Sequence, residues 1–276
     1  MKEGVVISVA TKRISKWVLR LCLIFLVAVS LWVGILVFPT PLFAYEARFG
    51  TFRVCSDEPI PADFAEVMED ADRRLQAMEH EPPDASQRVY LCHDQSRSGC
   101  LAFLARKGPQ SLGIGLSVAN ETFVSVTRVR LFAATNRGVL KHTRFAGDVA
   151  EVIAHEIAHF NSAHALGYRA HLAQPVWTRE GWAEYQANIA ALRADPDYDL
   201  GKRIDQLLQN DYWSRTHSMA RDFWEWQLLV EFLGEVEGYT LADLIREEVT
   251  ESSAREQMMA WHQLQAERST WRKASP

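Results

Sequence analysis

Nine residues constrain this chain most: Glu151-Val152-Ile153-Ala154-His155-Glu156-Ile157-Ala158-His159 lie in an apolar run of helical periodicity and carry the pattern H-E-x-x-H. At 3.6 residues per turn, His155 and His159 leave a helix from one face, one turn apart, so both rings can reach the same cation. Two ligands do not complete a coordination shell, so a second element has to meet this helix. The helix carries its own start signal. Gly147 precedes Asp148, and Glu151 follows three residues later, close to a capping box. Asp148 is read as the cap, not as a ligand.

The second element is expected in Trp177-Thr178-Arg179-Glu180-Gly181-Trp182-Ala183-Glu184-Tyr185, on a following antiparallel helix. Glu180 supplies the third ligand. Two histidines and one carboxylate leave the fourth tetrahedral position to water, the arrangement of catalytic and not of structural zinc. Zn2+ is therefore the expected cofactor. Glu156, beside the ligands, is read as the general base that takes a proton from the bound water. Glu184, one turn after Glu180, is placed to accept the outer N–H of a ligating histidine and fix its tautomer. His164 and His171 also follow the motif and are rival ligands. A three-histidine site of the metzincin kind, however, has its third histidine six residues after the second and a glycine halfway. Here those positions hold Ala165 and Ser162. His164 is read as a polar residue at the helix end.

Together, His155-Glu156-x-x-His159 and Glu180-Gly181-Trp182-Ala183-Glu184-Tyr185 resemble the gluzincin branch of zinc metallopeptidases, the peptidase MA-like domains. The paired motifs cover residues 148–188, with a weaker likeness in layout over 50–250. The resemblance implies an α+β, thermolysin-like catalytic core: a small mixed sheet, a central motif helix and C-terminal helices. It also implies Glu180 as ligand, Glu156 as general base and a peptide or protein substrate. No aminopeptidase-type exopeptidase motif lies upstream. A gluzincin needs a further donor to stabilise the oxyanion, and Tyr239 and His217 are the candidates, with Tyr185 and Tyr212 as further options. For each of the four, packing is the plainer role. In gluzincins an edge strand ahead of the motif helix receives the substrate backbone. The segment from Phe123 to Thr127 is the corresponding expectation, with an ordinary sheet strand as the alternative.

The N-terminus says where such a site works. Lys2, Lys12, Arg13, Lys16 and Arg20 precede an apolar run from Leu21 to Phe38 broken only by Ser30 and Gly34. That length suits a bilayer-spanning helix and exceeds the usual core of a signal peptide. The basic flank predicts a cytoplasmic N-terminus and everything after Pro39 on the far side, as in a bacterial inner-membrane protein facing the periplasm. Leu42-Phe43-Ala44 lacks the small residue expected three positions before a cut, so an uncleaved anchor is preferred to a cleaved signal peptide. The layout expected is a basic tail (1–16), a signal-anchor (17–38), a linker (39–50), one metallopeptidase-like domain (51–265) and a tail (266–276).

Phe52-Arg53-Val54-Cys55 and Arg88-Val89-Tyr90-Leu91-Cys92 read as strands, joined by an amphipathic helix from about Ala62 to Met78. Parallel pairing through that crossover makes Cys55 with Cys92 the first choice of disulfide. Cys92 with Cys100 and buried free thiols are the alternatives, and Cys22 lies in the apolar run. Residues Leu112 to Thr127 read as a hairpin around Ala119-Asn120-Glu121. Periodic helices follow at Asp222 to Gly234 and Leu241 to Glu248, with Thr240 as a cap. Trp177, Trp182, Trp213, Trp224 and Trp226 are expected to anchor the core. Arg128, Arg130, Arg137, Lys141 and Arg144 form a basic stretch, read as a solvated face before a binding surface. The net charge of −5 gives no global basic field for nucleic acid.

The sequence thus predicts a membrane-anchored zinc metallopeptidase of undetermined oligomeric state. The contrasting reading is a membrane-tethered binding or assembly module with a non-catalytic zinc. Glu156 weighs against it, since a purely structural site needs no base beside its ligand. Hydrolysis of a non-peptide amide or ester would use the same residues.

Overall fold

The computed structural model of the protein describes residues 4–79, 87–108, 111–116, 119–135, 148–209, 218–246 and 249–274. Gly147, Arg137, Lys141, Arg144, Tyr212, Trp213, His217 and Glu248 lie outside these residues. The class is α+β, with one five-stranded mixed sheet among the described residues.

The chain opens with α1 (Gly4–Val37). Within it, Lys16–Val37 is long and apolar enough to cross a membrane; 22 residues of helix extend about 33 Å. Strand β1 (Tyr45–Phe49) follows, although 45–49 read as connecting chain, and turns through Gly50 (φ 56°) into β2 (Phe52–Ser56). Helix α2 (Phe64–Gln76) crosses over to β3 (Gln87–Cys92), which pairs with β2 in parallel as expected. Helix α3 (Gln95–Leu104) leads to the hairpin of β4 (Gly113–Leu116) and β5 (Glu121–Ser125). The sheet order is β1-β2-β3-β5-β4.

Alternation along the strands builds two layers. Phe52, Val54, Val89, Leu91 and Val124 face one way and pack with Met68, Ala71 and Leu75 of α2 and with Ile153, Ile157 and Phe160 of α5 (Val149–Leu166). Cys55, Tyr90, Cys92, Phe123 and Ile114 face the other way, against Leu101 and Ala102 of α3 and against Phe43. A helical half completes the molecule. It comprises α7 (Val176–Arg193), α8 (Leu200–Gln209), α9 (Ser218–Glu235), α10 (Leu241–Arg246) and α11 (Glu251–Ala274). Its core holds Trp177, Trp182, Trp224, Ile204, Leu228 and Phe232, so three of the tryptophans anchor the interior as expected. Thr240 and Asp243 cap α10 reciprocally, Asp243 N donating to Thr240 Oγ1 and Thr240 N to Asp243 Oδ2. Inside this half, Glu231 is completely buried and is met by Arg203 and by the Tyr198 hydroxyl.

Two expectations are corrected. All four cysteines are free thiols, so no Cys55–Cys92 bridge forms. The register sets Cys55 opposite Tyr90, two residues short of Cys92. That offset separates the Cα atoms by about 8 Å, beyond disulfide reach. Phe123 to Thr127 is not an edge strand either. Residues 123–125 lie in β5, between β3 and β4, and Val126 and Thr127 begin α4 (Val126–Thr135), which carries Arg128 and Arg130. The edge next to the motif helix is β4.

Candidate metal centre

The motif helix α5 starts as its cap predicts: Asp148 is in extended conformation and its Oδ1 accepts from Glu151 N at 2.8 Å. It stops at Gly167, whose φ of 82° ends the helix and turns the chain into α6 (Tyr168–Ala173). Pro175 then opens α7, which returns along α5 and brings Glu180 to the two rings. His155 and Glu180 are buried, His159 is nearly so, and the three form the one group of possible metal ligands among the described residues.

Their geometry fits a common ion. His155 Nε2 and His159 Nε2 are 3.1 Å apart, His159 Nε2 is 3.2 Å from Glu180 Oε2, and His155 Nε2 is 3.4 Å from the same oxygen. A tetrahedral zinc with bonds near 2.0 Å has ligand-to-ligand edges of about 3.3 Å. The three distances match one face of such a tetrahedron, so these atoms would hold an ion of that kind and leave a position for water.

Each ligand is held from behind. Glu184 Oε1 lies 3.2 Å from His155 Nδ1, as its place one turn after Glu180 predicts. Arg179 Nε and Nη2 both donate to Glu180 Oε1 at 3.2 Å, which leaves Oε2 for the cation. Deeper still, Asn188 Nδ2 donates to Glu151 Oε1 at 3.0 Å, and Arg74 of α2 donates to Asn188 Oδ1 at 3.2 Å and to Ala187 O at 2.9 Å. Sequence reasoning missed Arg74, Arg179 and Asn188. Asn188 had a signal, one helical turn after Glu184. The other two had none, because one comes from a distant helix and the other acts on its immediate chain neighbour.

Charge accumulates accordingly. Burial alone disfavours a charged His155 ring, but Glu184 and then Glu180 outweigh it and raise its pKa well above the usual imidazole value. Burial alone would lift the Glu180 carboxyl, but His159 and then His155 hold it far below the carboxylate range. Glu151 is pushed up to about 8 by burial and by Glu184.

Glu156 lies on the side of α5 facing β4. Two glycines make room for it: a Cβ on Gly113 would fall 2.5 Å from Glu156 Oε1, and one on Gly115 would fall 2.8 Å from Oε2. The edge strand therefore reads Gly-Ile-Gly-Leu, with Ile114 turned to the opposite core.

The remaining candidates separate. His164 is exposed in the last turn of α5. His171 of α6 is buried 5.7 Å, ring to ring, from His159, outside the ligand group but beside it, and burial and then His159 push its pKa down to about 4. Tyr185 donates its hydroxyl to Glu235 within the helical half. Tyr239 packs against that half just beyond the end of α9. Phe223, near the start of α9, has its ring 6.1 Å from His155. Tyr239 N donates to Leu233 O at 2.9 Å, which sets Tyr239 about 15 Å further along α9 than Phe223.

No known protein family matches this chain, and no curated protein is similar to it. The gluzincin likeness therefore rests on the two sequence segments that carry it.

Proposed function

We propose that the protein is a membrane-anchored zinc metallopeptidase of gluzincin type with a thermolysin-like core, cutting polypeptides on the far side of the membrane from its basic N-terminus. The observation that carries the reading is the triangle of 3.1, 3.2 and 3.4 Å drawn by His155, His159 and Glu180, with a glutamate next to the first histidine. Zinc, when bound, supplies a water of near-neutral acidity and polarises the substrate carbonyl.

The chain's own groups do the rest. Glu156 accepts the proton of the attacking water and returns it to the departing amine. Glu184 keeps the Nδ1 proton of His155 in place, so that Nε2 is the donor atom. Arg179 restricts Glu180 to one oxygen. His171, held neutral by burial and by His159, stands beside the ligand group as a further candidate to donate to the developing oxyanion. The outer edge of β4 is the surface on which an extended substrate backbone would add as a further strand.

The deciding experiment uses the full-length chain in detergent. Glu156→Gln should keep about one zinc per chain and lose turnover of an unstructured protein substrate by roughly 10²–10⁴-fold. Glu180→Ala should lose the zinc, and His164→Ala should keep it. Unchanged turnover in Glu156→Gln would reject the peptidase and favour the tethered binding module. Wild type without stoichiometric zinc would reject the metal site.

A further inference from the structure

The connection between α1 and the domain is a fixed joint. Thr40 Oγ1 lies 3.1 Å from the Tyr90 hydroxyl, Phe43 is buried with its ring 5.0 Å from that of Tyr90, and Arg97 Nη1 donates to Leu42 O at 2.9 Å. Helix α1 also touches the domain directly. Val29, Trp32 and Leu36, three residues of one helical face, are partly covered near its end. The Trp32 indole N–H donates to Leu104 O at 2.9 Å. That carbonyl is among the last four of α3, which have no partner inside the helix. Here a side chain of the apolar span caps it, the arrangement required where water is scarce.

Depth follows from the register. Trp32 stands five residues before the end of the span at Val37, about 7 Å along the axis. The last turn of α3 therefore sits at the level of the span's final turns. Its surface suits that position. Phe103 is 79% exposed, a large ring left mostly open by the described residues. Arg106 and Lys107 are exposed just beyond it. Arg106 has φ 57°, a left-handed conformation that an L residue seldom adopts, and its guanidinium lies 5.8 Å over the Trp32 ring.

We propose that residues 103–107 are seated in the headgroup layer of the bilayer that α1 spans, with Phe103 in the apolar boundary and Arg106 and Lys107 on lipid phosphates. This rests on the reading of α1 as a membrane anchor. The occupant is lipid because the patch continues the face of a membrane helix and pairs a bare aromatic ring with two cations. The corner also adjoins the metal centre. The charge of Lys107 acts on His171, and β4, which holds Glu156, begins six residues further on.

The test is spin-label accessibility on the full-length protein in vesicles of phosphatidylethanolamine and phosphatidylglycerol. Cys22→Ser and Cys100→Ser remove the exposed thiols, and Phe103→Cys or Glu69→Cys receives the label; Glu69 is exposed on α2, which covers the opposite face of the sheet. A second labelled chain, Cys22→Ser alone, uses the natural Cys100 on the exposed side of α3. The labels at 103 and 100 should collide more with oxygen, which partitions into lipid, than with a water-soluble nickel chelate, and the label at 69 should do the reverse. If the protein survives an alkaline wash of the vesicles but position 103 behaves like 69, the proposal is overturned and the anchor stands. A label at 103 shielded from both reagents would assign the patch to a protein partner and overturn it as well. If the wash strips the protein from the vesicles, the anchor reading itself fails and the proposal falls with it.

Discussion

Glu151 joins the chemistry of the site to the stability of the fold. It is buried one turn before His155, accepts from Asn188 and carries a pKa near 8 because burial and Glu184 oppose its charge. A carboxyl whose folded pKa lies above its ordinary 4.5 binds its proton more tightly in the native state. Its contribution is therefore complete below about 4.5 and is lost as pH climbs through about 8. Glu121, pushed up to about 7 by burial despite Arg88, acts in the same direction. His171, held near 4, acts in the opposite direction up to the ordinary imidazole value of 6.5, so the thermal midpoint of the metal-stripped protein should fall between about pH 6.5 and pH 8. Glu151→Gln keeps an acceptor for Asn188 and should flatten that fall. Parallel curves for the two proteins would assign the pH dependence elsewhere.

Two glycines carry the tightest approaches between elements, and they predict different failures. A methyl group on Gly113 meets the Glu156 carboxylate and Val152 Cγ1, at 2.5 and 2.7 Å. The carboxylate is the mobile partner and will move. Gly113→Ala should therefore retain zinc and fold while losing about 10²-fold in turnover, the cost of misplacing a catalytic group by about an ångström. Equal activity would remove Glu156 from the chemistry or β4 from its neighbourhood. Gly181 stands where α7 crosses α9, and a methyl there falls 2.5 Å from the backbone oxygen of Trp226. No side-chain rotation relieves that contact, so the helices must separate. Gly181→Ala should cost at least about 1–3 kcal/mol in denaturant unfolding, and zinc should bind more weakly because Glu180 is the preceding residue.

Across the molecule, the centre lies on the seam between two cores. Helix α5 belongs to the sheet-side cluster, while α7 gives Ala183 and Ala187 to that cluster and Trp177, Trp182, Tyr185 and Ile189 to the helical one. An ion shared by His155, His159 and Glu180 would clamp these helices together. Binding to the folded state alone adds about 2.7 kcal/mol at one hundred times the dissociation constant, which in a domain of this size raises the melting temperature by about 5–10 °C. A chelator should remove that increment and zinc should restore it. Glu180→Ala should melt at one temperature under both conditions, and a wild type indifferent to chelator would dissolve the clamp.

The residues themselves carried the local features. Period 3.6 placed His155, His159 and the Asp148 cap, and one turn of spacing placed Glu184 behind His155. Period 2 and a crossover helix placed the parallel pair β2 and β3, and the apolar run placed the Lys16–Val37 part of α1. These follow from interactions within a few residues along the chain, which spacing encodes. What spacing does not encode was settled in three dimensions. The register that leaves Cys55 and Cys92 as separate thiols, the edge position of β4 and the Glu156 seat cut by Gly113 and Gly115 all depend on distant segments meeting. So do Arg74 behind Asn188, His171 beside His159 and the Trp32 cap on α3. Each is a contact whose partners are chosen by the packing of whole layers, and that choice exists only once the chain has closed on itself.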